Sequence, residues 1–259
     1  MKFAGLSSLF SAIAVGFGSA TEEPQPPRWA DQWSAEFTER IELVNGTESK
    51  VRNQNHGRWF YDWPNRQSRF DHDSGHMNNF CRRGANGRVS DALKPDNDTQ
   101  SCRLYFDASE KMFVSYPDSG FCCELCAGGL GCTILLPSWV STGVYEGKTE
   151  AEGRTCDVWH AKGAVAEDYW MEDSKGVPCR YQETFGNPVK LRHTIQFHKN
   201  SYVRGPEAVS RSDIFTVPDG CEAKCLKPWP PVGPPPSRGA LRGSDVMIVR
   251  GEEERLVVQ

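Results

Sequence analysis

The chain has 259 residues, a formal net charge of −4, and is 38% hydrophobic, 11% aromatic and 25% charged. No apolar run of ~20 residues follows the first twenty positions, which excludes a helical membrane span there, and the mildly acidic balance excludes a broad electrostatic footprint for nucleic acid. The apolar content is too high for wholesale disorder, and ten cysteines fall short of the ~8–10% of a pure disulfide scaffold, so a hydrophobic core with added disulfides is expected.

Residues 1–20 read as a secretory signal peptide. Lys2 supplies a positive start, residues 3–17 are apolar and small, and Gly18-Ser19-Ala20 offers a small-residue cleavage site before Thr21. Residues 21–27 form a polar, proline-containing linker, residues 28–227 a single folded unit, and residues 228–259 a Pro-rich disordered tail opening on PWPPVGPPPSR.

Within the folded unit the dominant period is two. Trp29, Trp33 and Phe37 are spaced i, i+4, i+8 and predict a short helix leading into the first strand. Phe37, Glu39, Ile41 and Leu43 then alternate against Thr38, Arg40 and Glu42. Trp59, Tyr61 and Trp63 face one way before a turn at 64–67, and residues 68–71 return. Residues 102–106 and 112–116 form a hairpin around 107–110, and residues 120–127 are a second helical candidate. The runs VYEGKTE, RTCDVWHA, DYWME, CRYQE and KLRHTIQFH complete a series of short strands bounded by Gly, Pro, Asn or Asp. The expected fold is all-β with minor helix: a curved antiparallel sheet or half-barrel, stapled by disulfides, with one helical or looped plug.

The cysteines are Cys81, Cys102, Cys122, Cys123, Cys126, Cys132, Cys156, Cys179, Cys221 and Cys225. Cys123 and Cys126 form a CxxC, which in a reducing βαβ setting would suggest redox chemistry, and four thiols within residues 122–132 suggest zinc. The even number and the signal favour structural disulfides instead, with vicinal Cys122 and Cys123 each going to a separate strand or loop. Sequons at Asn45 and Asn97 fit a glycoprotein of the secretory pathway.

No motif of known catalytic mechanics is present, so no catalytic residue is assigned and an enzyme is not expected. His72 and His76 fall where a loop is expected after a strand, and His193 and His198, five apart on a strand, face opposite sides. The acidic pieces DHD (71–73) and PDND (95–98) make calcium the one cofactor candidate, and no metal ligand is assigned. Trp59, Tyr61 and Trp63 are the candidate walls of an apolar pocket.

Three stretches resemble ependymin-related and LolA/LolB-like secreted proteins: residues 37–44 with GRWFYDWPNR (57–66) and RFD (69–71), the meander 144–183 around Cys156-Asp157-Val158-Trp159, and SDIFTVPDGC (212–221). The cluster 122–132 is closer to protist members of such families, and the proline tail is extra. The resemblance implies a curved antiparallel sheet around an apolar pocket, glycosylation, binding of hydrophobic molecules and calcium-dependent behaviour. The leading expectation is a secreted, disulfide-stabilised protein that holds a lipid-like molecule. The alternatives are an extracellular matrix or adhesion glycoprotein with a surface partner, and a secreted enzyme of another class.

Overall fold

The computed structural model describes residues 24–73, 78, 81, 101–127, 132–162, 166–186 and 190–225. The signal segment, the proline tail, the Asn97 sequon, His76 and the PDND stretch lie outside the described residues.

Among the described residues twelve strands form one open, curved antiparallel sheet: β1 (Gln32–Asn45), β2 (Glu48–Asp62), β3 (Gln67–His72), β4 (Cys102–Phe106), β5 (Lys111–Tyr116), β6 (Phe121–Ala127), β7 (Val144–Ala151), β8 (Arg154–Lys162), β9 (Glu167–Asp173), β10 (Pro178–Phe185), β11 (Lys190–Phe197) and β12 (Val203–Arg204). The order across the sheet is β6-β5-β4-β3-β2-β1-β11-β10-β9-β8-β7, with β12 pairing to β1. The chain therefore meanders from the centre to one edge at β6, crosses to the opposite edge at β7, and meanders back until β11 closes on β1. The described part of that crossing is residues 132–143.

Alternation sets the two faces. Trp33, Ala35, Phe37, Glu39 and Ile41 of β1 are buried on the inner face, while Glu36 and Arg40 are exposed outside. Their partners on β2 are Tyr61, Trp59 and Gly57, opposite Trp33, Ala35 and Phe37. Gly57 has to be glycine for reasons of space: a Cβ there would sit 1.9 Å from the Asp71 carbonyl oxygen and 2.8 Å from the Phe37 ring.

The structure corrects three expectations. Trp33 and Phe37 lie in β1, and residues 121–127 form β6, so neither stretch is a helix. A spacing of four satisfies a strand as well as a helix, since residues i and i+4 share a face in both. Trp63 lies past the end of β2, in the turn with Arg66, whose guanidinium stacks over its ring, so it leaves the alternation of Trp59 and Tyr61. Among the described residues the helical content reduces to Cys81 and a 3-10 turn at Pro206–Val209.

All ten cysteines are paired: Cys81–Cys102, Cys122–Cys221, Cys123–Cys225, Cys126–Cys132 and Cys156–Cys179. The vicinal pair does separate, because adjacent residues of a strand point to opposite faces. Cys122 packs outside with Tyr105, Phe113 and Cys221, and Cys123 packs in the main core with Cys225. Residues 221–225 thus wrap around the β6 edge. Glu124 N–H donates to the Ala223 carbonyl at 2.8 Å, and Cys225 N–H donates to the Glu124 carbonyl at 2.9 Å. An edge strand that would otherwise offer a row of unpaired groups is covered.

Candidate functional site

The inner face carries two layers. The first is aromatic. Trp29, from the extended stretch before β1, projects into the curve of the sheet, with ring centroids 5.4 Å from Trp33, 5.5 Å from Trp59, 5.4 Å from Tyr61, 5.8 Å from Trp139 and 4.6 Å from Trp170. Above it runs the described part of the crossing segment, residues 132–143, here called the strap. Cys132 ties its start to Cys126 of β6, and Leu135, Trp139 and Val140 are buried against the sheet. Two hydrogen bonds join it to the rest of the inner layer: the Tyr61 hydroxyl donates to the Leu135 carbonyl at 2.7 Å, and Trp29 N–H donates to the Pro137 carbonyl at 2.9 Å.

Trp59 and Tyr61 therefore do line the inner face, but as members of a filled aromatic core, and Trp63 sits half-buried at its margin. A void of about 10 Å³ lies between Trp59, Tyr61, Phe70, Phe106 and the strap residues Ile134 and Leu135. A second of about 10 Å³ lies between Phe70, Phe106, Leu104, His72, Asn78 and Glu39. Each has room for about one water, whereas ligand pockets run to ~300–1,000 Å³. The sequence resemblance implies a hollow; in this conformation the strap and Trp29 occupy it.

The second layer is polar and was not singled out from sequence. Glu39 of β1, His193 of β11 and Glu183 of β10 are each no more than 3% exposed. His193 Nε2 lies 2.6 Å from Glu39 Oε1, and its Nδ1 lies 2.7 Å from Glu183 Oε2. The Asn78 amide donates to both Glu39 oxygens at 3.0 and 3.1 Å. His72, closing β3 at 2% exposure, has its Nδ1 3.5 Å from Glu39 Oε2. Neither ring nitrogen of His72 has a hydrogen-bond partner among the described residues.

Burial opposes every charge in this layer, and the contacts decide which charges persist. For Glu39 burial is outweighed by His72, His193 and Asn78, so its carboxyl is held down to about 2. For His193 burial is outweighed by the flanking carboxyls, which push the imidazole up to about 10. Burial raises Glu183 despite its bond to His193, and burial lowers His72 despite Glu39. The result is a carboxylate–imidazolium–carboxyl bridge across three adjacent strands, beside a neutral imidazole. With both its nitrogens engaged, His193 has no free position at which to act as a base, and all ten cysteines are held in disulfides.

The other described histidines, His56, His160 and His198, lie apart from this layer. His198 follows β11 and sits on the outer face, where the Thr38 hydroxyl bridges its Nε2 at 2.9 Å and His56 Nδ1 at 3.0 Å. His160 stands between Glu146 and Glu167 and stacks on Tyr169. Asp71 of the DHD piece is engaged by Arg69 at 2.5 Å. Among the described residues no group of three or more His, Cys, Asp or Glu side chains is arranged to hold a metal ion, and no helix is long and apolar enough to cross a membrane.

Comparison with known proteins gives a distant likeness of fold. The sequence matches no family model and no curated protein. Among solved structures, the chain is similar to an uncharacterized conserved protein from Thermus thermophilus, with a TM-score of 0.42 and 9% identity over 75% of this chain and 90% of that one. It is also similar to MucB in complex with MucA(peri), with a TM-score of 0.28 and 12% identity over 76% of this chain and 57% of that one. The five disulfides point to an oxidising compartment.

Proposed function

We propose that this is a secreted binding protein that takes an apolar, lipid-like chain onto the inner face of its sheet, with the strap and Trp29 as the elements that give way. The observation that carries this reading is that the elements filling the inner face hold buried polar groups with no partner. Among the described residues the indole N–H groups of Trp29 and Trp139 are buried without a hydrogen-bond partner, as are Arg154 Nε of β8 and the His72 ring of β3 on the sheet itself. A buried polar group left unpaired costs ~1–3 kcal/mol, so the closed arrangement carries a penalty that lifting the strap relieves. An entering chain recovers apolar burial at ~0.8 kcal/mol per methylene. Asn45 lies exposed at the β1–β2 hairpin tip, a position open to a glycan.

Titration with decane-chain probes, read by tryptophan fluorescence, tests the proposal on wild type and on Trp139→Ala. Wild type is expected to bind, and Trp139→Ala to bind at least tenfold more tightly, because the strap then fills less of the interior. A protein that binds no chain in either form is a filled scaffold, and the reading falls.

A further inference from the structure

The two small voids are neighbours. Both are bounded by Phe70 and Phe106, one reaching the strap at Ile134 and Leu135 and the other reaching His72, Asn78 and Glu39. A chain that enters beneath the strap and runs past Phe70 arrives at the polar layer. Resting on the reading above, we propose that this end is a headgroup site selecting an aliphatic chain that ends in a hydroxyl, with His72 as the receiving group.

The chemistry follows from the partners already in place. Both Glu39 oxygens are occupied by Asn78, one of them also by His193, and both nitrogens of His193 are used. His72 is left as the buried polar side chain facing the void with no hydrogen bond made among the described residues. Its Nδ1 lies 3.5 Å from Glu39 Oε2 with no hydrogen bond made. Burial lowers the pKa of the imidazole, so the ring is neutral and offers one N–H donor and one lone-pair acceptor. An incoming head that both donates and accepts pairs with either nitrogen. A carboxylate head would enter a dry site in the field of Glu39 as an uncompensated anion, which is strongly unfavourable. An ammonium could donate, but it would have to leave its hydration beside the His193 imidazolium. A hydroxyl both donates and accepts and carries no charge.

The test compares 1-decanol, decanoate, decylamine and decane on wild type and on His72→Phe at pH 7.5. The proposal expects wild type to prefer 1-decanol over both decanoate and decane by about tenfold or more, the worth of one buried hydrogen bond. His72→Phe keeps a planar ring and is expected to lose that preference while still taking decane. Equal binding of alcohol and acid by wild type, tighter binding of decylamine than of decanol, or an alcohol preference that survives in His72→Phe each overturns the headgroup site and leaves the chain-binding reading standing. If wild type binds none of the four, both fall together. The wild-type ranking is decisive even if the variant does not fold.

Discussion

His193 is the residue on which the inner polar layer turns. It touches Glu39 across 154 positions of sequence and Glu183 across ten, and it joins β11 to both of its neighbours. Its raised pKa stabilises the fold fully below its ordinary value of 6.5, and that contribution is lost as pH rises toward about 10. Glu39 acts on the other side, stabilising above 4.5 and ceasing to do so as pH falls to about 2. The depressed His72 adds to the acid side: below 6.5 the unfolded chain binds a proton that the folded one resists, and stability declines. Glu183, raised by burial, works against this trend across the acid range. Urea unfolding midpoints are expected to fall from pH 7 toward 10 with a slope that Glu183→Gln reduces. They are also expected to fall below pH 6.5 with a slope that His72→Phe reduces. Flat profiles, or slopes unchanged in both variants, would contradict the charge assignment. The layer was hidden in the sequence for a physical reason. Glu39 stands on the apolar phase between Phe37 and Ile41, which is a visible anomaly, but whether a carboxylate is tolerated there depends on a histidine contributed by a strand at the far end of the chain.

The strands were legible because their period of two is bounded by turn residues, and nearly every run read from sequence is a strand in the sheet. The departures at Trp33 and at β6 come from short apolar spacings that two periods share. The separation of Cys122 from Cys123 was also legible, since adjacent cysteines cannot easily bridge each other without ring strain, whereas their partners at 221 and 225 required the tertiary path. That clasp has a measurable consequence. Cys122–Cys221 closes 99 residues and Cys126–Cys132 closes six. Replacing both clasp bridges, Cys122–Cys221 and Cys123–Cys225, by serines is expected to cost about 2–5 kcal/mol in urea unfolding, and replacing Cys126–Cys132 distinctly less, because only the loss of both clasp bridges reopens the long loop, and a longer loop loses more unfolded-state entropy when bridged. Equal costs would mean that the β6 edge is held by something other than its cross-links. The strap itself had no local signature: nothing within residues 132–143 announces that β6 and β7 lie at opposite edges.

At the scale of the whole molecule, function rests on topology. A meander that runs outward, crosses over and returns leaves a connection bridging the inner face, and the distal pairing of β1 with β11 completes the sheet beneath it. The sheet is then the fixed element, clasped at β6 and cross-linked between β8 and β10, while the strap is joined to the inner layer at Tyr61 and Trp29. The central claim is that an apolar chain enters by lifting this strap, and amide hydrogen exchange measures it directly. The Trp29 amide donates to Pro137 of the strap, while the Phe37 and Phe197 amides lie in the β1–β11 ladder. With a saturating decane-chain alcohol, Trp29 is predicted to exchange at least tenfold faster while Phe37 and Phe197 keep their protection. A bound chain that leaves Trp29 as protected as before, or slows its exchange, would contradict the account.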